Sequence, residues 1–283
     1  MPLDPAWVAL SLVEHVGAKK LRALADYFNG DLDAVLEADA PTLERVHGIG
    51  PKIAASIRAV DLPAVSEAIP RWREAGVSLL TLDDPTYPTA LRALDDAPPT
   101  LFVCGTWHEL RAVAVVGTRS PTREAAESAR QIGFELAQGG YQVISGMALG
   151  IDSAAHIGAL AQPEGVTSAV LGSGVLNLYP PGNRALAQAI LQRGALLSEN
   201  HPTAQPKPSM LVARNRIISG LCEAIIVVQT EIDGGAMHAA RRAVEQGRIV
   251  YTLDDDASGN RALIEAGARV IAPDLAGFDD QRK

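Results

Sequence analysis

Six short apolar runs after residue 111 constrain this chain more than any other feature. They are AVAVVG (112–117), YQVIS (141–145), VTSAVLG (166–172), ALLSE (195–199), AIIVVQ (224–229) and RIVYTL (248–253). Most are apolar at nearly every position instead of at alternate ones, so both faces of each strand must be covered. Helical stretches lie between them, at 122–138, 151–161, 183–193, 213–221 and 236–246. Buried strands joined by helical crossovers predict a parallel sheet with right-handed connections. The expected fold class is α/β: a Rossmann-like, doubly wound, mainly parallel sheet. In such sheets ligands bind outside the carboxyl ends of the strands.

The first 75 residues read differently. Apolar residues recur at three- and four-residue spacing, as in Leu21, Leu24, Ala25 and Phe28, with breaks at Gly17, Asn29-Gly30, Pro41 and Gly48–Pro51. The expected division is a small all-helical domain at 1–75 and a sheet domain at 76–283. Charge follows this division. Residues 1–110 hold 9 Lys+Arg and 16 Asp+Glu, and residues 111–283 hold 16 and 17. The net charge of −8 therefore leaves the sheet domain near neutrality and open to an anionic partner. No run reaches the roughly 18 apolar residues of a membrane helix. No positive segment precedes an apolar stretch at the N-terminus, and only Cys104 and Cys222 could pair. A cytoplasmic protein is expected.

Glycine-bearing loops follow three of the strands. Gly117-Thr118-Arg119-Ser120-Pro121-Thr122 offers a guanidinium fork for phosphate and a helix cap at Thr122. In Ser145-Gly146-Met147-Ala148-Leu149-Gly150-Ile151-Asp152, small residues leave backbone N–H groups for an anion, and Asp152 is read as a helix cap. Leu171-Gly172-Ser173-Gly174 leads into Tyr179-Pro180-Pro181-Gly182-Asn183. Each loop alone is more often a plain turn; together with Arg119 they point to an anion groove. Arg214 and Arg216 flank Asn215 and point about 200° apart on a helix, so one is expected to meet phosphate and the other to pair internally, with Glu199 or Glu223. No Walker loop, dinucleotide fingerprint, nucleophile elbow or metal-ligand spacing is present, so no cofactor or metal is expected. In the helical part, His47-Gly48-Ile49-Gly50-Pro51-Lys52 resembles a helix-hairpin-helix turn, with a weaker echo at Gly17-Ala18-Lys19-Lys20. Lys52 is its candidate phosphate contact; a packing module is the equal alternative.

VAVVGTRSPT, VISGMALGIDSAAHIGAL, AVLGSG with YPPGN, LLSEN and RNRIISGL occur in this order. The chain thereby resembles the DprA/Smf family (DNA-processing protein A) from about residue 5 to 270. The resemblance implies a homodimer without catalytic activity. Such a protein binds single-stranded DNA, protects incoming strands in natural transformation and loads the recombinase RecA, beside single-strand-binding protein. It also implies a small N-terminal helical domain of the SAM or helix-hairpin-helix type. Carried over by motif, the DNA-binding candidates are Gly117, Arg119, Ser145, Gly146, Gly150, Gly172, Gly174, Asn183, Arg214 and Arg216, with Tyr179 beside them. Departures occur at Leu149, where many members have Arg or Lys, at Asp233–Ala240, at Leu211-Val212, and at Thr252–Asp256. Many members carry a C-terminal winged helix; none is expected in this sequence, which runs to Lys283. Two rivals remain. One is a LOG-type nucleotide phosphoribohydrolase, whose P-G-G-x-G-T-x-x-E segment finds only Asp233-Gly234-Gly235-Ala236 here. The other is an interaction scaffold whose glycines merely turn the chain.

Overall fold

A computed structural model describes residues 3–278. The chain forms two compact units, divided after Phe102 and not after residue 75, with Glu199–His201 joining the first. The reason is packing: residues 76–102 are tied to the helices before them. The Trp7 indole donates to Pro99 O at 2.9 Å, and Trp72 meets the Phe102 ring edge-on at 5.5 Å.

In the first unit, helices Pro5–Ser11, Ala18–Tyr27, Leu32–Glu37, Ala40–Leu43, Pro51–Arg58 and Leu62–Glu74 enclose Leu10, Leu21, Leu24, Val35, Leu43 and Ile57. Strand β1 (Val77–Thr81) follows, and β2 (Thr100–Gly105) begins at the end of this unit. Asp4, Asp31, Asp39 and Asp61 each accept a backbone N–H at a helix start. Part of the N-terminal acidity is therefore spent on orphan N–H groups and helix dipoles. The helices that follow Gly17 and Gly50 lack a side-chain cap. Lys52 is exposed in the first turn after Gly50.

The second unit is built on β3 (Ala112–Val116), β4 (Gln142–Ser145), β5 (Thr167–Val170), β6 (Ala195–Ser198), β7 (Ala224–Val227), β8 (Ile249–Thr252) and β9 (Arg269–Val270). Their order is β6-β5-β4-β3-β7-β8-β9, and every pair is parallel. The chain winds outward from β3 to β6, crosses back to lay β7 on the other side of β3, then winds outward again. The switch point thus lies between β3 and β7, where their following loops diverge. Helices Arg123–Gln138 and Ile151–Ala161 cover one face over Val113, Val115, Val143 and Ile226. They meet through glycine: a Cβ on Gly158 would lie 1.9 Å from Arg130 O, and one on Gly133 2.2 Å from Ala155 O. The stretch expected as one helix at 213–221 is two, Pro208–Ala213 and Asn215–Gly220, broken at Arg214.

Candidate functional site

Three loops converge on the switch point. The loop after β3 is held down on the chain after β7: Thr118 N–H donates to Gln229 O at 2.8 Å, and Gln229 Oε1 accepts from Thr122 N–H at 2.9 Å. Thr122 caps the next helix through Ala125 N–H, as its sequence position predicts. Gly117 has no room for a side chain, since a Cβ would lie 2.6 Å from Ile151. Arg119 stands exposed on this rigid turn and makes no hydrogen bond or ion pair among the described residues.

The loop after β4 corrects the sequence reading. Its N–H groups were expected to face an anion from outside. Instead the Asp152 carboxylate folds back to accept from Gly146 N–H at 3.1 Å and Ala148 N–H at 3.3 Å. The fully buried Ser145 hydroxyl donates to Val115 O at 2.6 Å. Asn183 donates to Met147 O and Ser153 Oγ, both at 2.8 Å, and so fixes the loop from the far side. Gly150, at φ 83°, allows the loop to pass under Thr118 O, which a Cβ would meet at 2.4 Å. In the third loop Gly174 N–H is taken by Ala204 O at 2.9 Å, and Gly172 lies against Leu211. These residues frame the site, and Gly146 also lines its smaller cavity.

Arg214 turns into the fold. It is 7% exposed, and its Nη1 donates to Gly146 O and to Val170 O, the latter at 2.9 Å, while Nε has no partner. It ties the ends of β4 and β5 together. Burial pushes the Asp152 carboxyl up, opposed by Arg214 and by the N–H groups of Ala148 and Gly146. The guanidinium does not lose its proton in proteins, so Asp152 supplies its countercharge. Arg216 is half-buried and lines neither cavity described below. Glu223 pairs with Arg111 at 2.8 Å, and not with either arginine of the RNR segment.

Two cavities share Arg119, Ala148, Leu211 and Arg214 as a common wall. The larger, about 490 Å³, runs between the loop after β3 and the start of helix Gly235–Glu245, past Asp152 and Asn215. The smaller, about 50 Å³, is bounded by Leu149, Tyr179 and Pro180. Leu211 and the Gly234-Gly235 wall were not among the sequence-derived candidates. The return of the chain to β7 beside β3 brings them in, and that strand order is absent from local sequence.

Behind the site His156 is fully buried, its Nδ1 2.7 Å from Thr167 Oγ1. The Thr167 hydroxyl donates to Val143 O, so His156 Nδ1 carries the proton and Nε2 is left without a partner. Burial, with Arg214 adding to it, lowers the His156 pKa from 6.5 to about 3. A base with a depressed folded pKa stabilises the fold above its unfolded pKa and loses that contribution as pH falls. Unfolding free energy should therefore drop by about 1.4 kcal/mol per pH unit between pH 6.5 and 3 from this residue. Urea titrations of wild type and His156→Leu across that range should show the slope reduced in the variant. Equal slopes would mean that His156 does not titrate on unfolding.

The family model described as DNA recombination-mediator protein A matches residues 78–276, and a helix-hairpin-helix motif matches residues 6–60. The chain is similar to protein Smf of Synechocystis, 34% identical over 278 residues, covering 94% of this chain and 69% of that one. It is also similar to the X-ray structure of DprA from Streptococcus pneumoniae, with a TM-score of 0.81 and 28% identity over 99% of this chain and 100% of that one. A third similar protein is DprA of Helicobacter pylori, whose structure concerns its single-stranded DNA binding mode. There the TM-score is 0.63 and the identity 29%, over 69% of this chain and 90% of that one.

Proposed function

The chain belongs to the DNA recombination-mediator protein A family, and from that membership we propose that it binds single-stranded DNA along the switch-point crevice. It does so as a homodimer without catalytic activity, protects the strand and loads RecA onto it, in company with single-strand-binding protein. The observation that carries this reading is Arg119: an exposed, unpaired cation on a braced turn, standing in the wall between two cavities. A braced guanidinium grips phosphate without first losing the freedom of its loop. The site's polar groups also favour binding over chemistry. The Ser145 hydroxyl, the Asp152 carboxylate and His156 are all committed inside the fold, so none of the three is free to act as nucleophile or base. The phosphoribohydrolase rival needs a catalytic Glu, whereas the Glu231 carboxylate here accepts from Ser258.

Arg119→Ala should weaken oligothymidine binding about tenfold at low salt and flatten the log–log salt dependence by roughly 0.7, the share of one single-strand phosphate. Its thermal transition should match wild type, because Arg119 contributes no internal contact. Anisotropy titrations at several salt concentrations, with a duplex as control, provide the measurement. Equal affinity of variant and wild type at every salt would remove Arg119 from the interface.

A further inference from the structure

We infer that the smaller cavity seats one base of the bound strand, with Leu149 and Tyr179 supplying the surface on which it lies; the inference rests on the single-strand reading above. A groove that recognised phosphate alone would need cations and N–H groups. This notch adds to Arg119 and the inward-turned Arg214 an apolar wall of Leu149, Tyr179, Pro180 and Leu211. Leu149 leaves 49% of its surface exposed although it sits on a loop fixed by Asp152 and Asn183. A rigid loop that holds a large apolar side chain in water beside an unpaired guanidinium suits a ligand with an apolar face next to an anion, which describes a nucleotide. Because Arg119 stands in the wall of both cavities, the phosphate it grips lies within reach of a base on the notch side and of the next backbone unit on the larger side.

The size of the notch sets the mode of contact. About 50 Å³ is too small to enclose a base, so the ring lies across the mouth against Tyr179 and Leu149. Every base offers such a face, and the contact carries no sequence preference. Tyr179 is the aromatic residue among those lining the two cavities, while Tyr141, Tyr251 and Phe278 pack in or against the core.

The test compares intact oligothymidine with the same strand carrying abasic sites, using the full chain and fluorescence anisotropy at several salt concentrations. Wild type should bind the abasic strand about tenfold more weakly. Tyr179→Ala should lose a similar factor on the intact strand, little on the abasic one, and keep the wild-type salt slope, since no charge is removed. Leu149→Ser, at an exposed position, should show the same pattern at smaller size and guards against a folding defect in the first variant. Equal losses on intact and abasic strands, or no loss on either, would overturn the base seat while leaving single-strand binding intact. Failure of wild type to bind the intact strand at low salt would instead sink the functional reading, and this inference with it.

Discussion

Arg214→Met is expected to destabilise the protein by about 3–5 kcal/mol, the cost of leaving a buried charge without its partner. The substitution keeps length and apolar volume, so the loss isolates the guanidinium. Two carbonyl oxygens, Gly146 O and Val170 O, lose their donor, and Asp152 loses the neighbouring cation that opposes its burial. The sign of the pH dependence identifies the cause. A carboxyl whose folded pKa is raised contributes stability at low pH that is lost as pH rises through that pKa. Without Arg214 the Asp152 pKa moves further up, so the deficit should be larger at neutral pH than near pH 4. Adding Asp152→Asn should recover part of it, because the amide oxygen still accepts from Gly146 and Ala148 N–H without a charge to bury. Urea unfolding of wild type and the two variants at two pH values gives the answer. A loss below about 1 kcal/mol for Arg214→Met would show that the guanidinium is dispensable to the fold, and would return it to the pool of DNA contacts.

The sheet was legible because most of its strands are apolar at nearly every position, a pattern that permits few alternatives. All six expected strands form, within a residue or two of their expected ends. Strand β9 escaped because Arg269–Val270 is two residues long and exposed. The site was legible in position but not in role. Glycine loops after strands announce where the backbone must pass closely, and Gly117 and Gly150 do allow such passages. Sequence cannot say what occupies the N–H groups so exposed. Here Asp152 fills them from within, an arrangement that local spacing also permits for a plain helix cap. The RNR segment shows the same boundary. Helical geometry correctly sends Arg214 and Arg216 in different directions, but which one meets the sheet depends on the break at Arg214. Similarly, the partner of Glu223 is Arg111, 112 positions away, and is set by strand order instead of by proximity in sequence. The acidic N-terminal count likewise acquired a cause only when four aspartates proved to be helix caps.

Gly158→Ala should destabilise the protein by about 3 kcal/mol, although residue propensity alone predicts the opposite sign. In a helix interior Ala is favoured over Gly by roughly 1 kcal/mol, and Gly158 lies within Ile151–Ala161 at an ordinary helical conformation. The clash outweighs this gain. The new Cβ would stand 1.9 Å from Arg130 O, a backbone atom that no side-chain rotation can move. Relief requires the two helices to separate by more than an ångström. That opens the core over Val113 and Val143 and adds voids to the overpacking cost. The consequence reaches the site, because helix Arg123–Gln138 begins directly after the Arg119 turn and helix Ile151–Ala161 begins at Gly150. Separation of the helices displaces these two loops relative to one another. Single-strand affinity should therefore fall several-fold at a temperature where the variant is still folded, with the salt slope retained because no charge has been removed. Ile157→Ala, one residue away and at a side chain 44% exposed, serves as the control and should change stability by under about 1 kcal/mol. A stabilised Gly158→Ala would mean that the helices do not meet at this glycine.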